Sequence, residues 1–426
     1  MSLSASLEKI AVIVSFLAIA ACQNSAEIDT PATPEGVINT YIGIARAAYG
    51  DSLSTANTLD QTIDAFLSQP NEQTLNTAKT AWLAARVPYQ QTEVFRFGNA
   101  LVDEWEGRVN SWPLDEGLID YTAESYGDES DNNYFYSANI IANELLDIGG
   151  ISVDAANITP QLLAETLHEI DGVESNVAIG YHAIEFLLWG QDLNGTRPGA
   201  GQRPATDYSL QNCSHGNCDR RADYLKSVST LLVADLEEMV TSWQVGGAAY
   251  VDLLNKSEEG ALATILTGMG SLAYGELAGE RIRLGLLLHD PEEEHDCFSD
   301  NTHYSHYYDA KGIANVYLGQ YERVNGDLVS GPALVDMINA QAPALAAEMS
   351  ARLESTELAM DALVAQAKMG NTYDVLIGSD SAEGGEVINR IVDALMEETR
   401  TIEKIISELK LENTSIEGSE SLRALR

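Results

Sequence analysis

The chain has 426 residues, and its 65 acidic residues against 24 basic residues give a formal net charge of −41 at pH 7. A surface this acidic repels nucleic acid and anionic lipid, which excludes nucleic acid as a partner. The length suits two domains of ordinary size.

The first 21 residues are predicted to be a signal peptide. Lys9 precedes an apolar run over residues 10–21, which is too short for an ordinary membrane span and ends in small residues. The run leads into Ile-Ala-Ala-Cys, which is similar to the lipobox of bacterial lipoproteins, so we expect Cys22 to be lipidated. The alternative is an ordinary signal peptide followed by an incidental cysteine.

A polar, proline-containing segment follows the lipobox and suits a flexible tether over residues 22–35. Gln23 stands next to the cysteine in place of Asp, which by analogy favours the outer membrane. We therefore expect a lipoprotein of the bacterial cell envelope that faces the periplasm and touches the membrane through its lipid anchor only.

Helical patterns dominate the remainder, with apolar residues at steps of three and four. Predicted helices cover 36–69, 72–97, 160–190, 219–245, 256–288, 332–369 and 384–410. Predicted irregular inserts, rich in Gly, Asn, Asp and Tyr, cover 98–159, 191–218 and 289–331, and a short extended segment is expected at 372–377.

The layout of long helices and inserts suggests a duplication. We predict an all-α fold of two related helical bundles, one over 36–205 and one over 206–412. A Gly-rich stretch, 195–205, marks the boundary between them, and residues 413–426 are predicted to be a flexible tail.

The first polar residues that are candidates for a functional site lie at the end of the second predicted helix and in the insert after it. Tyr89, Glu93 and Arg96 follow one another at steps of four and three, which a surface ion pair explains equally well. Asp103, Trp112 and Asp115 lie in an acidic segment that we interpret as a structured loop, with a solvated acidic loop as the alternative.

The sequence Gly180-x-His182-x-x-Glu185 lies inside an apolar run that is typical of a buried helix. Residues three apart share a helical face, so His182 and Glu185 are expected to point together into the interior. A buried carboxylate needs a partner, which predicts a metal ion, an arginine or a second carboxylate. A purely structural His–Glu hydrogen bond is the alternative.

Cysteine spacing adds a further prediction. Cys213 and Cys218 are five residues apart in a Gly-containing loop, which in an exported chain favours a small disulfide over a Cys/His metal knuckle. Cys297 is left without a partner.

Two later segments also carry candidates. Glu276, Glu280 and Arg283 lie on a Gly-rich helix whose glycines favour close helix packing. The segment 295–306 contains His295, His303 and His306 with two Asp and a Cys, all plausible metal ligands, although its spacing matches no structural zinc pattern and we favour an ordered capping loop.

Together these motifs resemble the imelysin family, also called the iron-regulated protein A or M75 peptidase-like family. The matching text is EVFRFG at 93–98, WEGRVN at 105–110, WPLDEGLIDY at 112–121, Gly180-x-His182-x-x-Glu185 and CFSDNTH at 297–303. The resemblance implies two helical bundles, an envelope location and a hallmark site at His182 and Glu185 near their junction. Related metal-uptake proteins add carboxylates from a Tyr-Glu-x-x-Glu helix, where this chain has Gln90 in place of the first Glu.

The resulting hypothesis is a lipoprotein that binds iron, another divalent metal or an iron chelate for uptake, together with iron-uptake partner proteins. His182, Glu185, Glu93 and Asp115 are the predicted metal ligands. The alternatives are a zinc-dependent M75-type peptidase, which a single His and Glu support weakly, and a non-catalytic scaffold that binds a partner protein.

Overall fold

The computed structural model describes residues 32–412 and 414–423. The signal peptide, Cys22 and most of the predicted tether lie outside these residues. The first eight helices are α1 (Pro34–Ser68), α2 (Glu72–Gln90), α3 (Ala100–Asn110), α4 (Glu116–Ile119), α5 (Pro160–Leu162), α6 (Gly180–Trp189), α7 (Cys218–Ser242) and α8 (Ala248–Asn255).

The second half is also mainly helical. Its helices are α9 (Glu258–Ser271), α10 (Leu284–Leu288), α11 (Thr302–Leu318), α12 (Leu334–Gln341), α13 (Pro343–Lys368), α14 (Tyr373–Ile377), α15 (Ala382–Glu408) and α16 (Glu420–Arg423). A π-helical segment, Leu272–Arg283, joins α9 to α10. Two antiparallel hairpins complete the set, β1 (Leu145–Ile148) with β2 (Ile151–Asp154) and β3 (Gln320–Glu322) with β4 (Leu328–Ser330).

The predicted all-α class is confirmed, but four segments differ from expectation. The helix predicted over 160–190 is interrupted before α6, which begins only at Gly180. Both α3 and α11 lie in stretches predicted to be irregular, and 372–377 contains the helix α14 instead of a strand. In α11 the apolar periodicity is hidden because polar side chains such as His306 and Asp309 occupy buried positions. A pattern search that equates burial with apolar character misses such a helix.

Helix packing does not follow the chain order strictly. Helix α1 packs against α2, α7 and α9, whereas α13, α15, α11 and the π-helical segment form a second group. Helix α7, which the sequence assigns to the second bundle, lies against α1 and α6. The division of the chain at residue 205 stays a prediction.

Part of the segment 414–423, where a flexible tail is predicted, contacts the helices. Leu422 is only 1% exposed, and the Ser421 hydroxyl donates to the backbone carbonyl of Gly279 at 2.9 Å. The backbone at Glu417 passes so close to Gly275 that an added Cβ would lie 2.8 Å from its carbonyl oxygen. Because they have no side chain, Gly275 and Gly279 of the π-helical segment allow the C-terminal segment to pack closely against it.

Two further observations bear on the predicted anchor and the cysteines. Cys213 and Cys218 form a disulfide, and Cys297 is a free thiol. Over the described ranges, we find no helix with the length and apolar character that a membrane crossing requires.

Gly268 tests the close packing of α9. A Cβ at this position would lie 2.3 Å from the carbonyl oxygen of Val94, whereas one at Gly43 in α1 would meet nothing within 4 Å. We expect Gly268→Ala to lower the free energy of unfolding by roughly 1–3 kcal/mol. Gly43→Ala, the matched control, should raise it by up to about 1 kcal/mol because Ala favours helix. Urea unfolding of both variants measures this, and equal effects would contradict the packing.

Candidate functional site

The hallmark helix α6 is buried along its whole length. It begins at Gly180, where φ is +84° and an added Cβ would lie 2.6 Å from the carbonyl oxygen of Val109. Glycine is the residue that tolerates both conditions. The close approach seats the start of α6 against the end of α3 and fixes the direction in which its side chains point.

His182 and Glu185 face each other inside the protein. Each is at most 1% exposed, and His182 Nδ1 lies 3.0 Å from Glu185 Oε2. The second oxygen of Glu185, Oε1, accepts the backbone N–H of Ser299 at 2.9 Å. Both oxygens of Glu185 are therefore engaged, so this carboxylate orients the imidazole and is not a free ligand. Histidines that bind metals commonly have such a carboxylate on the other ring nitrogen.

The segment between α10 and α11 supplies the other side of the site. His295 and Asp296 are both buried, and the His295 ring centroid lies 4.7 Å from that of His182. One ligand atom from each of His182, His295 and Asp296 lies within 4.8 Å of the others. Trp112, a predicted site residue, packs edge-on against the His295 ring at 5.6 Å.

Unpartnered ring nitrogens mark this group of three. His182 Nε2 and both nitrogens of His295 are buried without a hydrogen-bond partner among the described residues. A buried polar atom without a partner costs about 1–3 kcal/mol, so native proteins seldom leave one unexplained. Imidazole nitrogens are also the commonest transition-metal ligands, and a bound ion would satisfy them.

Asp296 is held by three donors. Arg86 Nη2 donates to Oδ1 at 3.0 Å, and Asn301 Nδ2 donates to Oδ2 at 2.8 Å. The hydroxyl of Ser305 also donates to Oδ2. In this structure the charge of Asp296 is therefore balanced by an arginine, which a metal ion at the same carboxylate would have to displace or share.

Arg86 reaches the site from α2. It is 1% exposed, and its guanidinium carbon lies 5.0–5.6 Å from the ring centroids of Trp82, Tyr89 and Tyr181. Its Nη1 donates to Asn110 Oδ1 at 2.6 Å. This places Tyr89, a predicted site residue, in the aromatic wall around the arginine.

Protonation states favour metal binding by the histidines. Burial, and after it the charge of Arg86, lowers the pKa of His182 to about 3. Burial lowers the pKa of His295 well below its ordinary value, with Arg281 adding to the effect. Both rings are therefore neutral near pH 7, which is the form that binds metals. Although burial opposes it, Arg86 holds the pKa of Asp296 below its ordinary value.

Glu93, a predicted ligand, lies in a neighbouring ionic cluster. Its Oε2 accepts Arg281 Nη2 at 2.7 Å, and Arg281 also pairs with Asp309 at 3.0 Å and with Glu276 at 2.9 Å. Asn110 Nδ2 donates to Glu93 Oε1 at 3.5 Å and so connects this cluster to Arg86. The expectation that Glu93 shares one ion with His182 is not met, because its charge is taken by Arg281.

Asp115, the remaining predicted ligand, is also engaged elsewhere. Its Oδ2 accepts from Asn133 Nδ2 and from the Ser175 hydroxyl, both at 2.6 Å. It stands immediately before α4 and forms no ligand group with His182. These bonds give Asp115 a structural role in connecting the segments around α4.

The remaining predicted site residues are Arg96, Asp103, Glu276, Glu280 and Arg283, and the first three lie at or beside the ionic cluster that contains Glu93 and Arg281. Arg96 pairs with Asp103 at 2.6 Å and with Glu276 at 3.4 Å, so these three form one group at its edge. Glu280 is exposed, and Arg283 donates to Asn389 at 2.7 Å, so neither reaches the histidines.

The sequence pattern does not reveal three residues of the site. It favours a capping loop around His295 and Asp296, and it does not distinguish Arg86 from other charged residues. A signal for Arg86 was present, since it stands among Ala78, Trp82 and Ala85, all of which are buried on α2. A lone arginine beside an apolar stripe calls for a buried acidic partner.

Comparison with known proteins agrees with the fold. The family model described as Imelysin, peptidase M75, matches residues 45–402. Iron-regulated protein A of Synechococcus elongatus (strain ATCC 33912 / PCC 7942 / FACHB-805) is 23% identical over 359 residues, which cover 80% of this chain and 78% of that protein.

Two solved structures share the fold. A protein described as an iron-regulated protein A precursor from Parabacteroides distasonis ATCC 8503 has a TM-score of 0.63 and 18% identity, covering 90% of this chain and 97% of that one. An imelysin-like protein from Psychrobacter arcticus 273-4 has a TM-score of 0.57 and 16% identity, covering 89% and 97%.

Arg86 tests the ionic pairing at the site. We expect Arg86→Met to lower the free energy of unfolding by about 3–5 kcal/mol, because it leaves Asp296 charged and buried without its arginine. Lys311→Met is the matched control, since Lys311 and Glu357 form a pair that is 41% and 52% exposed. That change should cost less than about 1 kcal/mol in urea unfolding. Similar losses in both variants would show that the buried pair contributes no more than a surface pair.

Proposed function

Since this chain belongs to the imelysin family, we propose that it binds iron or another divalent metal ion at His182, His295 and Asp296 for metal uptake. The observation that carries the proposal is the set of buried, neutral and unpartnered imidazole nitrogens beside a carboxylate. The iron-related name of the Synechococcus relative supports iron as the ion, although imidazole with carboxylate suits several first-row metals.

The proposed ligand set revises the one expected from the sequence. His182 stays at its centre, and His295 and Asp296 replace Glu93 and Asp115. In the revised set, Glu185 holds the His182 ring in place. Mutation of such an orienting carboxylate typically lowers metal affinity by about 10- to 100-fold.

Burial favours a bare ion over a chelate. The three proposed ligands are each no more than 1% exposed. An iron chelate carries its own bulky ligands and would require the site to open, whereas a single ion requires only that the ligand atoms converge. We therefore prefer the ion and keep the chelate as the alternative.

Metal content tests this proposal. Chelator-treated protein is incubated with Fe²⁺ or Zn²⁺, desalted and examined by elemental analysis and calorimetric titration. We expect His182→Ala and His295→Ala each to remove most of the bound metal, because each deletes a ligand. Glu185→Gln should weaken binding by about 10- to 100-fold.

Three controls separate ligands from neighbours. Glu93→Gln and Asp115→Asn should leave affinity nearly unchanged, since both carboxylates are engaged elsewhere. His215→Ala removes a half-exposed imidazole outside the site and should also have no effect. Parental metal content in both His182→Ala and His295→Ala would overturn the proposal and leave a structural His–Glu pair as the better account, whereas a parent that binds no metal would favour a partner-binding scaffold. Peptide hydrolysis that is abolished by chelation and by His182→Ala would instead favour a zinc peptidase.

The envelope location is proposed from the sequence alone. We infer a lipid on Cys22, an outer-membrane anchor and a periplasm-facing body that works with iron-uptake partner proteins. Support comes from the apolar run that ends in Ile-Ala-Ala-Cys.

Fatty-acid labelling in bacteria tests the anchor. Cys22→Ser should abolish incorporation of labelled fatty acid and release the protein from the membrane fraction, because it removes the acceptor thiol. Cys297→Ser removes the other unpaired cysteine and should label like the parent. Equal labelling of the Cys22→Ser variant and the parent would exclude lipidation at this position.

A further inference from the structure

A second group of acidic side chains lies beside the histidine site and adds α14 to the segment that the two sites share. Glu294 and Asp300 come from the segment between α10 and α11, and Asp374 comes from α14. One carboxylate oxygen from each lies within 4.8 Å of the others. All three residues are buried, with exposures of 1%, 8% and 0%.

These carboxylates have no basic partner. Over residues 32–412 and 414–423, no lysine or arginine forms an ion pair with any of the three, whereas Asp296 nearby is paired with Arg86. Three like charges this close and this deep are strongly unfavourable unless protons or a cation neutralise them.

The environment of Asp374 is the observation that indicates a ligand. It is fully buried, and neither of its oxygens has a partner with good hydrogen-bond geometry. Oε1 of Glu294 and Oδ1 of Asp300 are likewise buried without a partner. Buried oxygen atoms that converge from three separate chain positions, with no basic partner among the described residues, are suited to the coordination of a cation.

The donor set indicates which kind of cation. It consists of carboxylates alone, which hard ions such as Ca²⁺ prefer, and three carboxylates supply up to six oxygens. Two Ca²⁺–oxygen bonds of about 2.4 Å span at most about 4.8 Å, and the three oxygens lie no farther apart than that. The mixed nitrogen and oxygen donors at His182 suit transition metals instead.

We propose that Glu294, Asp300 and Asp374 form a second cation site, which takes Ca²⁺ or a similar hard divalent ion and ties α14 to the segment before α11. Glu294 directly precedes His295, so an ion here would also steady the chain that carries His295 and Asp296. Its three side chains are distinct from the residues proposed to bind the transition metal.

The electrostatics of two members agree with this assignment. Burial, and after it the charge of Asp374, raises the pKa of Asp300 to about 7. Burial raises the pKa of Asp374 to about 6, although the nearby Thr372 hydroxyl opposes the rise. Without a cation the group therefore resists full ionisation.

The test adds Ca²⁺ alone to chelator-treated protein at pH 7.5, with thermal unfolding and calorimetric titration as readouts. At about a hundred times its Kd, Ca²⁺ should raise the Tm by several degrees, because it binds the folded state only. Asp374→Asn and Glu294→Gln should each lose at least about tenfold in affinity for Ca²⁺. Without Ca²⁺ both variants should unfold no earlier than the parent, since each replaces a buried carboxylate, whose ionised form is unfavourable there, with a neutral amide.

Two controls make the outcome specific. Asp380→Asn removes a nearby exposed carboxylate and should keep the parental response to Ca²⁺. His182→Ala should keep it too, which separates this site from the proposed transition-metal site. The proposal is overturned if Ca²⁺, Mg²⁺ and Mn²⁺ leave the parental Tm unchanged, or if Asp374→Asn and Glu294→Gln respond to Ca²⁺ as the parent does.

Discussion

The centre of this protein depends on the pairing of buried charges that come from distant parts of the chain. Arg86 meets Asp296 across 210 residues, and Arg281 meets Glu93 across 188. A buried charge without a partner costs several kcal/mol, so each pair strongly disfavours any arrangement that separates its members. The pairs therefore fix α2, the π-helical segment and the chain before α11 relative to one another. Asn110 extends this order by bonding to both Arg86 and Glu93.

The histidine site follows from that pairing. The segment between α10 and α11 has no regular structure around His295, and two contacts hold it, one to α2 and one to α6. One is the ion pair of Asp296 with Arg86, and the other is the bond from the Ser299 backbone to Glu185. These contacts bring His295 to His182 while His182 Nε2 and both nitrogens of His295 have no hydrogen-bond partner among the described residues. Glu185 thus has two tasks, since it orients one imidazole and also fixes the segment that carries the other.

The two residues that flank His295 differ in how their charges are balanced. Asp296 is balanced by an arginine, whereas Glu294 lies among carboxylates without a basic partner. Two neighbouring stretches of one segment therefore differ in chemistry, with nitrogen and oxygen donors on one side and oxygen donors alone on the other. The acidity of the chain as a whole does not explain this difference, because most acidic side chains can remain ionised at the surface in contact with water, while these are buried.

The sequence by itself determined the helical class and the inward-facing pair of His182 and Glu185, because both depend on periodicities within one helix. It could not reveal α11, whose buried face is polar, or the partners of Glu93 and Asp115, which lie far away in the chain. Equally, nothing local distinguishes His295 from any other loop histidine. Only the tertiary structure decided which carboxylates pair with an arginine, which accept hydrogen bonds and which are buried without a basic partner among the described residues. The physical reason is that burying a charge without a partner costs free energy, whereas the packing of the helices determines where a partner lies.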